Sequence, residues 1–173
     1  MQVGSEIPAA TVAVLDSGIP TPFDIRDIIE GHRCLLIGVP RAFSPVCAGA
    51  RVLEVAAEID RYKAEGVERF IVVMADHPWA MEAWRRELDV PDEILFVSDG
   101  NLNFAKAGGL LQRWRGLFLG DCSKRFLIRT KGLTVTTLEI EDPIHAVNGS
   151  SRAPVYDIVT ESGVGCDLEF IDA

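Results

Sequence analysis

Two unbroken apolar runs, Cys34-Leu35-Leu36-Ile37-Gly38-Val39 and Phe70-Ile71-Val72-Val73-Met74, limit what this chain can fold into. A strand with one wet face alternates apolar and polar side chains, whereas an unbroken run belongs to a strand covered on both faces. Between the runs, Val52, Val55, Ala56, Ile59 and Tyr62 recur at helical spacing. Ser44 is a natural N-cap, Pro45 suits the first helical position, and Gly66 closes the segment. Cys47 then falls in the first turn of that helix. Strand, helix and strand make a crossover unit whose two strands run parallel when they share a sheet.

The rest of the chain extends this pattern. Thr11–Leu15 is a short apolar stretch, and Phe23–Glu30 reads as a helical turn or loop. Asp76 and Pro78 open a second helix to about Leu88, with Ala80, Ala83, Trp84 and Leu88 on one face, and Ile94–Val97 is a third strand. Asn101–Leu111 reads as a short helix passing into a glycine-containing loop. Arg125–Ile128 and Leu133–Ile140 flank Arg129-Thr130-Lys131-Gly132, a hairpin turn. Val155–Val159 is a candidate last helix, and Glu161–Ala173 is an acidic tail. The expectation is an α/β fold, a central mixed β-sheet flanked by helices, in one domain over residues 1–173. Active sites of such folds collect at the carboxyl ends of parallel strands, where Pro40 to Cys47 would sit.

Charge and cysteine usage narrow the function. The net charge of −9 argues against a nucleic-acid backbone or an anionic membrane surface as partner, because both require a basic face. No basic segment precedes an apolar run at the N-terminus, and no apolar stretch approaches the ~20 residues that span a bilayer. Cytoplasmic localisation is the default expectation. Cys34, Cys47, Cys122 and Cys166 are unevenly spaced with no CxxC pair, which disfavours a zinc ribbon or a dithiol motif. His32, His77 and His145 are scattered; His32 beside Cys34 is a weak metal signal. Trp79, Trp84, Trp114 and Phe118 read as core or interface residues.

Cys47 is the position where chemistry concentrates. An ordinary cysteine has a pKa of ~8.5, and the nucleophile is the thiolate. The first turn of a helix favours the anion through unpaired N–H groups and the positive end of its dipole. Ser44, three residues earlier, can offer a hydroxyl, and Pro40 can shape the loop and shield the sulfur. A cation is still needed to balance negative charge.

Pro40-Arg41-Ala42-Phe43-Ser44-Pro45-Val46-Cys47 resembles the peroxiredoxin signature Pro-x-x-x-Thr/Ser-x-x-Cys. The longer string from Gly38 resembles the atypical, type II branch of that family. The likeness extends through Lys63–Val67, Trp84 and Lys124-Arg125-Phe126, covering about Gly4 to Asp142. The resemblance implies a thioredoxin-like (redoxin) fold, with residues 143–173 a divergent C-terminal segment. It implies a thiol peroxidase that reduces hydrogen peroxide and alkyl hydroperoxides without metal or organic cofactor. Cys47 would be the peroxidatic cysteine, Ser44 the hydroxyl partner, Pro40 the shield and Arg125 the cation. Thioredoxin, glutaredoxin or glutathione would supply electrons to a homodimer. Two positions depart from the pattern: Ser44 stands for the usual threonine, and Arg41 for a residue usually small in this branch. Arg41 would add positive charge at the mouth of the site. The alternative on the same fold is a peroxide-sensing redox relay or interaction protein.

The oxidised Cys47 would be a sulfenic acid that a second thiol can condense with. Many members of this branch carry the resolving cysteine shortly before the last helix. The corresponding stretch, Asn148–Pro154, has none. Cys166 in the glycine-containing tail is the best local candidate, Cys122 the next, and Cys34 reads as a core residue. A one-cysteine cycle resolved by an external thiol stands beside these.

Overall fold

The computed structural model describes residues 1–44, 50–114 and 118–141. Pro45, Cys47, His145, Cys166, the expected helix at Val155–Val159 and the acidic tail lie outside them.

The two apolar runs are central parallel strands, β3 (Arg33–Val39) and β4 (Arg69–Met74). With β1 (Thr11–Asp16), β2 (Ile19–Asp24), β5 (Ile94–Ser98), β8 (Phe126–Lys131) and β9 (Thr134–Ile140) they form a seven-stranded mixed sheet of order β2-β1-β5-β4-β3-β8-β9. A separate ribbon pairs β6 (Leu111–Trp114) with β7 (Gly120–Ser123). The expected thioredoxin-like α/β architecture is present.

Alternation along β3 and β4 explains why no polar residue interrupts them. Leu35, Ile37, Val39, Phe70, Val72 and Met74 face one core, shared with helices α1 (Ala50–Ala57), α2 (Ile59–Ala64) and α3 (Pro78–Leu88). Cys34, Leu36, Ile71 and Val73 face the other, shared with the short helix α4 (Asn103–Ala107) and with Phe126 and Ile128 of β8. Both faces are dry, so both must be apolar.

Several local readings change. The helical turn expected over Phe23–Glu30 is a 3₁₀ turn at Ile25–Ile28, while Phe23 and Asp24 instead end an edge strand that begins at Ile19. The single first helix is interrupted at Glu58 into α1 and α2. In α3 the buried side chains are Met81 and Trp84, while Ala83 is exposed, because the face that meets β5 is centred on Trp84 against Phe96. His77, not Asp76, caps α3: its Nδ1 accepts the Ala80 N–H at 3.1 Å. The β8–β9 turn is tighter than expected. Arg129, Thr130 and Lys131 stay in β8, and Gly132 takes the left-handed conformation (φ 55°) that a two-residue hairpin turn requires.

Candidate functional site

The carboxyl end of β3 brings separate parts of the sequence together. β3 delivers Val39 and Pro40 as buried residues, and the chain then turns outward through Arg41–Ser44. The antiparallel register Gly38↔Phe126 sets Arg125 level with Val39. Gly38 permits this approach: a Cβ there would lie 2.1 Å from the Phe126 ring. Pro40 and Arg125 therefore lie at the same end of the sheet, with Ser44 four residues beyond Pro40 at half-buried depth.

Arg125 is held in place. Its side chain is 16% exposed, and its Nε lies 3.0 Å from Oε2 of Glu141. Glu141 bridges onward through Oε1 to Nη2 of Arg51 on α1 at 3.1 Å, and Arg51 also meets Glu54 and Glu139. This Arg–Glu–Arg bridge orients the Arg125 guanidinium and couples it to the helix that follows the Ser44 turn. Nothing in the sequence pattern singles out Glu141, since its two partners come from distant elements.

Arg41 does not project into solvent as a surplus charge. Its guanidinium donates to the carbonyls of Ala75, Leu119 and Asp121 and to the Asp76 carboxylate. Asp76 also accepts the Ala42 N–H through Oδ2 at 2.6 Å, which explains why it does not cap α3. Phe43, next in line, has φ 57° and is exposed.

The cysteines divide by position. Cys34 is the second residue of β3, six residues before Pro40; at about 3.3 Å per residue it stands ~20 Å from that end of the sheet. It is 1% exposed and its thiol donates to the Ile29 carbonyl at 3.8 Å. Burial pushes the Cys34 thiol up, with the Thr130 hydroxyl and Arg69 opposing, so it is a core residue rather than a nucleophile. Cys122 is fully buried in β7, directly after Asp121, whose carbonyl accepts from Arg41. Cys47 and Cys166 lie outside the described residues.

The remaining polar and aromatic candidates have local roles. His32 faces Glu68 at 3.7 Å and His77 caps α3. Among the described residues, no three His, Cys, Asp or Glu side chains gather as a metal site, and no helix is long and apolar enough to cross a membrane. Trp84 is core, whereas Trp79 and Phe118 are exposed.

Comparison with known proteins agrees with this fold. The redoxin family model matches residues 2–152. Peroxiredoxin-2C from Oryza sativa subsp. japonica is 30% identical over 118 residues, covering 68% of this chain and 73% of that protein. Chloroplastic peroxiredoxin-2E from Arabidopsis thaliana is 28% identical over 156 residues, covering 88% of this chain and 67% of that protein. Among solved structures, reduced Prx3 from Vibrio vulnificus in complex with hydrogen peroxide superposes with a TM-score of 0.78 at 28% identity, covering 93% of this chain and 98% of that one.

Proposed function

The chain belongs to the redoxin family, among its peroxiredoxins, and from that premise we propose which of its residues carry out the thiol peroxidase reaction. Cys47, as thiolate, attacks one oxygen of the peroxide. The O–O bond breaks, an S–O bond forms to give the sulfenic acid, and the departing oxygen takes a proton to leave as water or alcohol. The Arg125 guanidinium faces the charge that grows on the departing oxygen and favours the thiolate beforehand. The Ser44 hydroxyl donates to the sulfur or the peroxide, and Pro40 keeps bulk water from the attacking side. The observation that carries this reading is the β3–β8 register, which sets Arg125 beside the strand end leading to Pro40 and Ser44.

A thiol reductant completes the cycle. Its sulfur displaces the sulfenic hydroxyl as water, and a second thiol then releases Cys47. We assign this to an external donor, a thioredoxin, a glutaredoxin or glutathione. Cys34 sits at the wrong end of β3, and Cys122 has no exposed surface for the attack; Cys166, outside the described residues, is the internal alternative. A cytoplasmic homodimer, with residues 143–173 appended to one redoxin domain, completes the proposal on family resemblance; sedimentation tests the dimer. The peroxide-sensing relay is not favoured beside named peroxiredoxins of this similarity.

Stopped-flow consumption of hydrogen peroxide tests the assignment. Cys47→Ser should reduce the rate to background, and Arg125→Gln should lower it while raising the pH needed for half-maximal rate. Undiminished turnover by the Cys47 variant would defeat it.

A further inference from the structure

We propose that Arg41 and Asp76 form a positioning pair that fixes the Pro40–Ser44 turn and thereby sets how the attacking thiol is presented; this rests on the assignment of Cys47 above. Three observations converge. One guanidinium ties its own turn to two other segments: the Ala75 carbonyl and Asp76 Oδ1 (3.1 Å) at the end of β4, and the Leu119 (3.3 Å from Nε, 3.2 Å from Nη2) and Asp121 (2.9 Å) carbonyls at the start of β7. Only a planar fork with several fixed donors reaches all of them. Second, the same carboxylate that pairs with Arg41 holds the backbone of the next residue, through the Ala42 N–H at 2.6 Å. Third, the following residue, Phe43, is left-handed at φ 57° and is 58% exposed. A bulky residue keeps that backbone only where its surroundings over-determine it. Phe43 has little packing of its own to do so, and the clamp on residues 41 and 42 supplies the constraint.

The pair acts through geometry rather than surplus charge. Asp76 lies against Arg41 and balances it, with both side chains largely covered (17% and 28% exposed). Arg41 and Asp76 are therefore positioning residues.

The experiment compares the wild-type chain with Arg41→Lys, Arg41→Ala, Asp76→Asn, Asp76→Ala and the double alanine variant. Two quantities are followed across pH: the second-order rate constant with hydrogen peroxide, and the rate of Cys47 alkylation by iodoacetamide. Melting curves confirm that each variant is folded at the assay temperature, and Asp76→Asn keeps an acceptor for the Ala42 N–H should the alanine variants fail to fold. Misplacement of a reacting group by about an ångström costs up to ~100-fold in rate. The expected loss here is about tenfold or more for Arg41→Lys, Arg41→Ala and Asp76→Ala, with the pH midpoint of alkylation raised. The double variant should lose no more than the worse single one, because losing either partner already abolishes the clamp. A wild-type rate in Arg41→Lys overturns the proposal, since charge alone would then suffice. So does a lowered midpoint in Asp76→Asn or Asp76→Ala, the signature of an unbalanced Arg41 acting directly on the thiolate. If Cys47→Ser keeps its activity, the assignment of Cys47 falls and the positioning role falls with it. If Cys47→Ser is inactive and Arg41→Lys is not impaired, only the positioning role falls.

Discussion

Replacing Gly38 by alanine should damage both the fold and the site, and the structure sets the scale. The added Cβ would lie 2.1, 2.2 and 2.5 Å from Cε1, Cδ1 and Cζ of Phe126, where ordinary contact begins at 3.4 Å. The ring must therefore withdraw by more than an ångström. It is 2% exposed and packs against Phe104 at a centroid separation of 6.2 Å, so no rotamer swing into solvent relieves it. The φ of Gly38 is not in the left-handed region, so the penalty is steric rather than conformational. Overpacking of a close-packed core costs ~1–3 kcal/mol, and a clash against a buried ring belongs at the upper end. For a chain of this size, ~3 kcal/mol lowers the melting temperature by about 6–12 °C. Because Arg125 precedes Phe126, the displacement also pulls its guanidinium from Glu141, so the peroxide rate should fall at temperatures where the variant is still folded. Calorimetry and stopped-flow kinetics on Gly38→Ala read the two effects. Adding Phe126→Leu, which frees ring volume, should recover part of both. A melting temperature within about 1 °C of wild type would refute the steric reasoning, because it would mean that the sheet absorbs the ring shift without cost.

Two further outcomes follow from buried titratable groups. Asp99 is 1% exposed and accepts the N–H groups of Phe104 (3.0 Å) and Ala105 (2.8 Å), which anchors α4 to β5. Asp99→Ala should cost ~1–3 kcal/mol by leaving those donors unpaired, read as a lower urea midpoint. For Cys34, burial raises the thiol pKa, so between the ordinary thiol value and the raised one the folded chain holds a proton that the unfolded chain has lost. Stability should therefore fall as pH rises through that window, and Cys34→Ala should show a shallower slope in urea titrations at increasing alkaline pH; identical slopes would contradict the buried assignment.

The central sheet was legible because β3 and β4 are covered on both faces, and their unbroken apolar runs say so directly. In the β1–β2 hairpin, β2 carries no such run. Ile19-Pro20-Thr21-Pro22-Phe23 carries two prolines, which argue against a central strand yet are tolerated at the sheet edge that β2 occupies. Its only local signal was Ser17-Gly18, both at positive φ. At the site, Pro40 and Ser44 stood out through their spacing to Cys47, and Arg125 through family resemblance. Asp76 and Glu141 were invisible as site residues because their roles depend on register. Asp76 reads as a helix opener until β3 and β4 are laid side by side, and Glu141 reads as a strand-end acid until Arg51 and Arg125 are brought to either side of it. Arg41 reads as extra charge until the carbonyls it holds are in view.

On the proposed cycle Cys47 attacks the peroxide, and its return to the thiol depends on an outside donor. Mass spectrometry after one equivalent of hydrogen peroxide, with a sulfenic-acid trap and with glutathione in parallel, addresses both halves at once. The expected result is a sulfenate adduct, or a glutathione mixed disulfide, on Cys47, with Cys34 and Cys122 unmodified. A Cys47–Cys166 disulfide would contradict the external resolution, and oxidation centred on any cysteine other than Cys47 would contradict the assignment itself.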